Sequence, residues 1–278
     1  MFSSPLMLLP AGESDGSFGA LIIGDDLTRG RLLCLSMEVL ESRQRPDLEK
    51  QVRVAFRERW PEFIFHDPIS NASIDKVGEY FAEWDLWVID DGRVVAGGWG
   101  VPLPWDGTIQ DLPDGYDGAL VRSITARESG QPTDTLCIMA AAVAADASRK
   151  GLAGTVLTAL RRRAVDAGLT RVVCPVRPTL KSSYPLVPMD RFAAWRRPDG
   201  TAVDPWIRTH ERLGANIIGT AARSMVITGS VADWEAWTGM VFPESDRYVV
   251  PDALGLVQID READVGTYVE ENLWMRHA

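Results

Sequence analysis

The feature of this sequence that most constrains its fold is a buried-strand pattern followed, after one glycine turn, by a helical pattern. Residues 135–143 read TLCIMAAAV, a continuous apolar run that is typical of a central strand. The turn SRKGLAG (148–154) follows. Apolar residues between Leu152 and Val165 then recur with i, i+4 spacing, which predicts a helix that ends at Gly168. A strand that leads through a short turn into a helix is a unit of α/β folds.

The rest of the chain alternates predicted strands and helices. An Asp-Gly turn between two β-rich runs predicts a hairpin of residues 84–90 and 94–101. Asp204 followed by Pro205 is a favourable start for a helix, because it places an N-cap residue before a proline at the first helical position. Helices are predicted over 47–59, 74–83, 205–213 and 231–237, and further strands over 171–176 and 222–229.

The domain organisation predicted from these patterns is one large mixed α/β domain, which a chain of 278 residues can build around a sizeable core. The domain is expected over 36–238, with an N-terminal extension over 1–35 and an irregular C-terminal tail over 239–278 packed on it. Residues 102–132 are predicted to run over the surface, and the segment 177–204 is predicted to be a long connection rich in proline and aromatic residues.

The overall charge and the scarce cysteine and histidine exclude several classes of function. A formal net charge of −10 argues against a nucleic-acid-binding or anionic-membrane-binding surface. The three cysteines show no CxxC spacing and the three histidines no HxxxH pair, so neither a disulfide framework nor a metal site is expected. No secretory signal or membrane-spanning run is recognisable, and the expected location is therefore the cytoplasm.

The glycine turn has the chemistry of a site for a pyrophosphate. Glycines let the backbone approach a ligand, and the first N–H groups of a helix lack intrahelical partners and carry partial positive charge. Arg149 and Lys150 add countercharge. The alternative is a plain turn before a surface helix with solvated basic residues. The residues predicted to hold an anionic cofactor are Val143, Arg149, Lys150, Gly151, Leu152, Ala153 and Gly154.

The segment from Val143 to Leu160 resembles motif A of the GNAT superfamily of N-acetyltransferases, in which a central strand leads through a [Q/R]xxGx[G/A] turn into a helix. Ser148, Gly151 and Ala153 occupy the matching positions, and Ser148 departs from the family pattern. The resemblance covers roughly residues 84–228. It implies a GNAT fold, an α/β structure with a mixed, mostly antiparallel central sheet whose splayed strands are flanked by helices. It also implies that the turn binds the pyrophosphate of coenzyme A.

The segment WIRTHERLGANIIG (206–219) is similar to a later helix of the family and places His210 where the family usually has tyrosine. The resemblance implies that His210 protonates the departing coenzyme A thiolate, and histidine can do so because its ordinary pKa lies near neutrality. The alternative is that His210 packs beneath the 177–204 connection. Three further residues are predicted to line the substrate tunnel or orient a carboxylate: Trp99, Trp206 and Arg223.

The C-terminal half also resembles GNAT-like domains of polyketide synthase loading modules, which are associated with decarboxylation of malonyl-CoA. That resemblance implies roles for Thr179 and His210 at the thioester. Three functions follow. The first is acyl transfer from acetyl-CoA or another acyl-CoA to a small amine or an acyl carrier protein. The second is malonyl-CoA decarboxylation, and the third is a non-catalytic acyl-CoA-binding module. No metal, nucleic acid or membrane is expected to take part.

Overall fold

One sheet of nine strands, with helices packed against it, organises the described part of the chain. The computed structural model describes residues 37–57, 59–147 and 151–278. The described helices are α1 (Glu49–Arg57), α2 (Pro68–Tyr80), α3 (Gly115–Ser129), α4 (Leu152–Asp166), α5 (Met189–Ala193), α6 (Pro205–Arg212) and α7 (Val231–Thr238). The described strands are β1 (Met37–Glu41), β2 (Asp85–Asp90), β3 (Arg93–Leu103), β4 (Thr135–Val143), β5 (Arg171–Val176), β6 (Ala215–Gly229), β7 (Asp246–Val249), β8 (Leu256–Asp260) and β9 (Val265–His277).

The described strands form one sheet in the order β1-β2-β3-β4-β5-β9-β8-β7, and β6 pairs with β9. Each described pair of neighbouring strands is antiparallel except β4 and β5, which are parallel. The predicted mixed, mostly antiparallel sheet is therefore confirmed. Among the described helices, none is long and apolar enough to cross a membrane.

The sheet opens between its two parallel strands. β4 pairs with β5 only along Thr135–Cys137, opposite Arg171–Val173. Beyond that point β4 continues along β3, while β5 continues along β9. The β3–β4 register also shifts, so that Met139 lies between the paired residues Ile138 and Ala140 as a bulge. The predicted splayed strands are confirmed, and the β4 edge from residue 138 to 143 faces a gap.

Helices cover both faces of this part of the sheet. A Cβ on Gly98 of β3 would lie 2.6 Å from Val156 of α4, so the glycine permits the close approach of that helix. The next residue, Trp99, contacts Tyr116 of α3 with ring centroids 6.3 Å apart. Because consecutive strand residues point to opposite faces, α4 and α3 lie on opposite sides of β3.

Two predicted irregular segments are regular structure. The expected surface loop over 102–132 contains α3, which buries Ala119, Leu120 and Ile124. The expected irregular tail over 239–278 contains β7, β8 and β9, and β9 lies inside the sheet beside β5. Both predictions are wrong, because the apolar spacing in α3 is weak and the inward positions of β9 include polar side chains.

The remaining boundaries differ by less. The helix predicted over 74–83 begins at Pro68, where Asp67 caps it by accepting a hydrogen bond from Ser70 N, and it ends at Tyr80. The strand predicted over 222–229 begins at Ala215. The predicted strands 135–143 and 171–176 are confirmed to the residue. The predicted N-terminal extension, 1–35, lies outside the described residues.

Two hydrophobic clusters form the interior of the part of the chain that the structure describes. The larger one fills the space between the helices and strands β2 to β6, together with the end of β9 at Leu273–Met275. The smaller one, which we call the second cluster, lies where α7 and β8 meet a 3₁₀ turn over Glu62–His66. Its largest members are Phe63, Trp234, Phe242 and Tyr268. Because β9 contributes to both clusters, it connects them.

Candidate active site

A cavity lies where β4 and β5 separate. It holds about 1030 Å³ of space free of protein atoms, part of it open to solvent. Its floor is formed by residues 138–141 of β4 and 174–177 at the end of β5. Of the described residues that line it, Arg177 and Glu270 are the charged ones. The aromatic residues on the wall are Trp60, Phe65, Trp99, Tyr116 and Trp206.

Glu270 and Arg177 form a buried ion pair on the cavity wall. Glu270 is 1% exposed and lies on the stretch of β9 between its pairing with β8 and its pairing with β5. Arg177 Nε lies 2.9 Å from Glu270 Oε2 and 3.1 Å from Oε1. Burial disfavours the guanidinium, but the attraction to Glu270 more than offsets it and raises the pKa of Arg177. Glu270 is thus held next to a permanent cation.

Hydrogen bonds fix the Glu270 carboxylate from both sides. Tyr268 OH donates to Oε2 at 3.0 Å and itself accepts from Leu254 N at 2.8 Å. Asn272 Nδ2 donates to Oε1 at 3.0 Å, and Asn272 Oδ1 accepts from Ser224 Oγ at 2.5 Å. Because Tyr268, Glu270 and Asn272 alternate along β9, they share one face of the strand. The carboxylate has one well-defined position.

Two further carboxyl groups meet behind the wall of the cavity. Asp67 and Asp117 are neighbours, Asp67 accepts a hydrogen bond from Ser70 N at 2.6 Å, and Asp117 Oδ2 accepts one from Val226 N at 3.3 Å. Burial and the neighbouring charge of Asp67 raise the pKa of Asp117 to about 8. Burial also raises the pKa of Asp67. The surroundings of Asp117 therefore favour its protonated form.

The start of α4 has the geometry that an anion site requires. Gly151 has a φ of 90° and precedes the helix, whose first backbone bond runs from Thr155 N to Gly151 O. The N–H groups of Leu152, Ala153 and Gly154 therefore have no partner within the helix. Side chains at Gly151 and Gly154 would meet open space, and Val143 ends β4 shortly before. The predicted Ser148, Arg149 and Lys150 lie outside the described residues.

His210 is placed on α6 as predicted, but behind the cavity wall. It is fully buried and is not among the described residues that line the cavity. Its ring meets that of Trp206, which does line the cavity, with centroids 4.5 Å apart and planes at 81°. Its Nδ1 lies 2.9 Å from Nε2 of His277. Burial and the neighbouring imidazole lower the pKa of His210 to about 3, so it is neutral at pH 7.

The other predicted residues divide into two groups. Trp99 and Trp206 line the cavity. Thr179 does not line it and is exposed, and its hydroxyl lies 3.4 Å from Asp204 Oδ2, next to the capping interactions of α6. Arg223 is also exposed and does not line the cavity; it lies in the part of β6 where the β6–β9 register breaks, between Ala221 and Met225. The structure therefore does not bring Thr179 or Arg223 to this cavity, and their contact with substrate stays a prediction.

Sequence reasoning missed the charged residues of the cavity. Glu270, Asn272 and Tyr268 alternate within YVEENLW, a pattern that predicts one polar face on a buried strand. That signal was present in the segment expected to be irregular. Arg177 directly follows the correctly predicted strand over 171–176, where side chains at a strand end commonly reach a site.

Comparisons with known proteins give one sequence relative and several structural ones. Arginine N-acetyltransferase avaD of Aspergillus versicolor is 32% identical over 247 residues, which cover 78% of this chain and 84% of that protein. The loading GNATL domain of CurA from Lyngbya majuscula has a TM-score of 0.56 at 13% identity, over 87% of this chain and 97% of that one. The GphF GNAT-like decarboxylase in complex with isobutyryl-CoA has a TM-score of 0.49 at 11% identity, over 87% of this chain and 98% of that one. No protein-family model matches the sequence.

Proposed function

This chain belongs to the GNAT superfamily and is an N-acetyltransferase that uses acetyl-CoA and an amine, and from that premise we propose that its acceptor is arginine. The observation that carries the proposal is the cavity between β4 and β5, on whose wall Glu270 is the one carboxylate among the described lining residues, with aromatic rings around it. A cationic, planar guanidinium suits such a surface, because it can stack on the aromatic faces and leave the Glu270 carboxylate to the amine. The relative from Aspergillus versicolor acts, by its name, on arginine.

Acetyl-CoA is proposed to enter along the open edge of β4. The diphosphate would accept hydrogen bonds from the N–H groups at the start of α4, as an anion at a helix N-terminus does. The backbone of residues 138–143 lacks a strand partner on the gap side, so it can pair with the amides of the pantetheine arm. The bulge at Met139 marks the point at which the two strands part, and the thioester is proposed to lie there.

Glu270 is proposed to receive the proton that the acceptor must lose. The amine nitrogen attacks the thioester carbonyl, the C–N bond forms, the C–S bond breaks, and the released proton passes to the carboxylate directly or through one water. Arg177 and the donors on both sides keep Glu270 in position. The carboxylate can accept one further hydrogen bond, because Arg177 donates a single Nε–H that both carboxylate oxygens share.

Decarboxylation of malonyl-CoA receives no structural support of this kind. It was expected to use Thr179 and His210, and neither lines the cavity. A non-catalytic module is disfavoured because the chain is similar, over 78% of its length, to an enzyme, the arginine N-acetyltransferase of Aspergillus versicolor.

The test is turnover with a panel of acceptors. Purified protein is incubated with acetyl-CoA and arginine, free thiol is followed with a thiol-reactive dye, and the product is identified by mass spectrometry. Acetylated arginine is expected. Citrulline, which has nearly the same shape without the charge, is expected to react at least about tenfold more slowly, the effect of about 1.4 kcal/mol.

Two results would overturn the assignment. One is efficient acetylation of another amine from the panel with no reaction of arginine. The other is release of CO₂ from malonyl-CoA in the absence of any acceptor, which would favour the decarboxylase.

A further inference from the structure

Arg177 lines the cavity with hydrogen-bond donors that its described partners leave unused. Its Nε donates to Glu270, and its Nη2 donates to Asp252 O at 2.6 Å, in the connection between β7 and β8. A guanidinium carries five N–H bonds, and two of them are on Nη1. Nη1 makes no hydrogen bond to any residue that the structure describes, and it is not one of the buried nitrogens without a partner. Arg177 can therefore bind an anion without releasing Glu270.

The charges of the described cavity lining balance each other. Arg177 and Glu270 are its charged residues, one cation and one anion, and Arg177 Nε lies 2.9 Å from Glu270 Oε2. Behind the wall, burial raises the pKa of Asp67 and of Asp117, which reduces the negative charge that acts on the cavity from there. A ligand with two positive groups and no negative one would lose water in this cavity without meeting a net opposite charge.

The head group of a free α-amino acid has the charge arrangement that complements this pair. Its amine and its carboxylate are joined through a single carbon, so they lie next to each other, as the guanidinium and the carboxylate of the wall do. With the ligand carboxylate on Arg177 and the ligand nitrogen on Glu270, each charge meets its opposite. The planar donors of an arginine suit a carboxylate, and Glu270 can accept one further hydrogen bond.

We propose that Arg177 binds the α-carboxylate of the acceptor, so that the protein acetylates the α-amine of a free amino acid. The inference rests on the proposed acetylation of arginine and specifies which end of that acceptor reacts. The α-nitrogen forms the bond to the acetyl carbon, and the C–S bond of acetyl-CoA breaks. The proton of the α-nitrogen passes to Glu270 and from there, through solvent, to the thiolate. The guanidinium of the acceptor, three methylene groups away, lies against the aromatic rings of the wall.

The first experiment compares acceptors on the wild-type protein with acetyl-CoA. Arginine is set against arginine amide, which has a neutral group of the same shape in place of the carboxylate, and against agmatine, which lacks that group. We expect kcat/KM for both analogues to be at least about tenfold lower than for arginine. The α-amine of the amide loses its proton more readily than that of arginine, so a slower reaction would not come from its basicity. Tandem mass spectrometry should place the acetyl group of the arginine product on the α-nitrogen.

The second experiment changes the cation. Arg177→Lys keeps a positive charge beside Glu270 but removes the planar donors. We expect the ratio of kcat/KM for arginine to kcat/KM for agmatine to fall about tenfold. Because both substrates are measured on one preparation, a smaller fraction of folded protein cancels in this ratio. Arg191→Lys is the matched control, since Arg191 is exposed on α5 and does not line the cavity, and it should keep the wild-type ratio.

The outcomes separate the inference from the function beneath it. If arginine amide and agmatine react as fast as arginine, or if the acetyl group is found on the guanidinium, the inference is overturned and acetyl transfer to arginine stands. An unchanged ratio in Arg177→Lys would also overturn it, because another group would then recognise the carboxylate. If Arg177→Lys does not fold, the wild-type comparison of arginine with its amide still decides. If the wild-type protein does not acetylate arginine at all, the proposed function itself fails.

Discussion

The position of Glu270 is determined by its neighbours on β9 and by Arg177. The side chain is almost fully buried, yet it lines a cavity, and each of its oxygens has at least one donor within 3.0 Å. Glu270→Gln keeps the size of the side chain and removes its capacity to accept a proton. We expect kcat to fall about a hundredfold, with the KM for acetyl-CoA nearly unchanged, measured by thiol release.

Glu271→Gln is the matched control for that change. Glu271 is the next residue on β9 and therefore points to the opposite face of the strand. Its substitution should leave kcat within about twofold of the wild type, a difference of less than 1 kcal/mol. Equal losses in both variants would mean that charge on this strand, rather than the Glu270 carboxylate, supports turnover.

Asp117 makes the stability of the protein depend on pH. Its pKa is about 8 in the folded protein and 3.8 ordinarily, so the native state binds one more proton than the unfolded state between those values. The free energy of unfolding that Asp117 contributes by binding this proton is fully present below its ordinary pKa. It is lost as the pH rises through the pKa that Asp117 has in the folded protein. In Asp117→Asn, which can donate to Asp67 at every pH, the decline in the free energy of unfolding should be smaller across this interval.

The measurement is urea denaturation at several pH values within that interval. In Asp117→Asn the free energy of unfolding should still decline with pH, though less than in the wild type, because burial also raises the pKa of Asp85 to about 7. Asp114→Asn, which removes an exposed carboxylate at the start of the same helix, should reproduce the wild-type curve. A variant curve as steep as that of the wild type would show that Asp117 is ionised in the folded protein.

Individual residues were predicted where local chemistry decides their role. Asp204 caps α6 through hydrogen bonds from Trp206 N and Ile207 N, as expected of an Asp-Pro pair. The partner of His210 was not predictable, because His277 is distant in sequence and meets it only through the β6–β9 pairing. The resemblance placed His210 on the right helix but could not reveal its burial behind Trp206.

At the scale of the element, the start of α4 combines backbone geometry with charge. Gly151 has a φ of 90°, a conformation that costs another residue about 1–3 kcal/mol, and its Cα faces open space. In Gly151→Asp a carboxylate would stand where the diphosphate is proposed to bind. We expect the affinity for coenzyme A to fall more than about tenfold, or 1.4 kcal/mol, by titration calorimetry.

Gly168→Asp separates strain from charge repulsion. Gly168 follows the other end of α4 with a φ of 79° and is equally unobstructed, so the substitution imposes similar strain far from the proposed site. Its affinity for coenzyme A should match that of the wild type at temperatures where both are folded. Equal weakening in the two variants would count against an anion site at the start of α4.

The elements that were predicted correctly have strong periodic signals, and those that were missed have mixed ones. β4 and β5 are continuous apolar runs and were located to the residue. α3 begins with Gly115 and contains Gly118, and its buried positions include Ser123, so its helical spacing is obscured. β9 carries the polar residues Glu270 and Asn272 on its inward face, so the alternation of apolar residues along the strand is hidden. Sequence analysis is therefore weakest at the strand that places polar side chains in the cavity wall.

At the scale of the whole molecule, β9 joins the active site to both hydrophobic clusters. Leu273–Met275 belong to the larger cluster, and Tyr268 belongs to the second cluster, where its ring meets Phe63 edge-on with centroids 5.3 Å apart. Glu270 lies between these two anchored stretches. The segment from α7 to β8 therefore supports the position of Glu270, because it packs around the tyrosine that donates a hydrogen bond to it.

Tyr268→Phe tests this connection. The change leaves Leu254 N, in a residue that is 2% exposed, without its acceptor, and it removes one donor from Glu270. We expect a loss of about 1–3 kcal/mol in the free energy of unfolding, from urea denaturation followed by tryptophan fluorescence. We also expect a several-fold loss in kcat at temperatures where the variant is fully folded.

Phe242→Leu is the matched control, because Phe242 belongs to the same cluster but its side chain makes no hydrogen bond to Glu270. The substitution should lower stability while kcat stays at the wild-type value. If Phe242→Leu lowers kcat as much as Tyr268→Phe does, general loosening of the second cluster, rather than the hydroxyl, controls the active site.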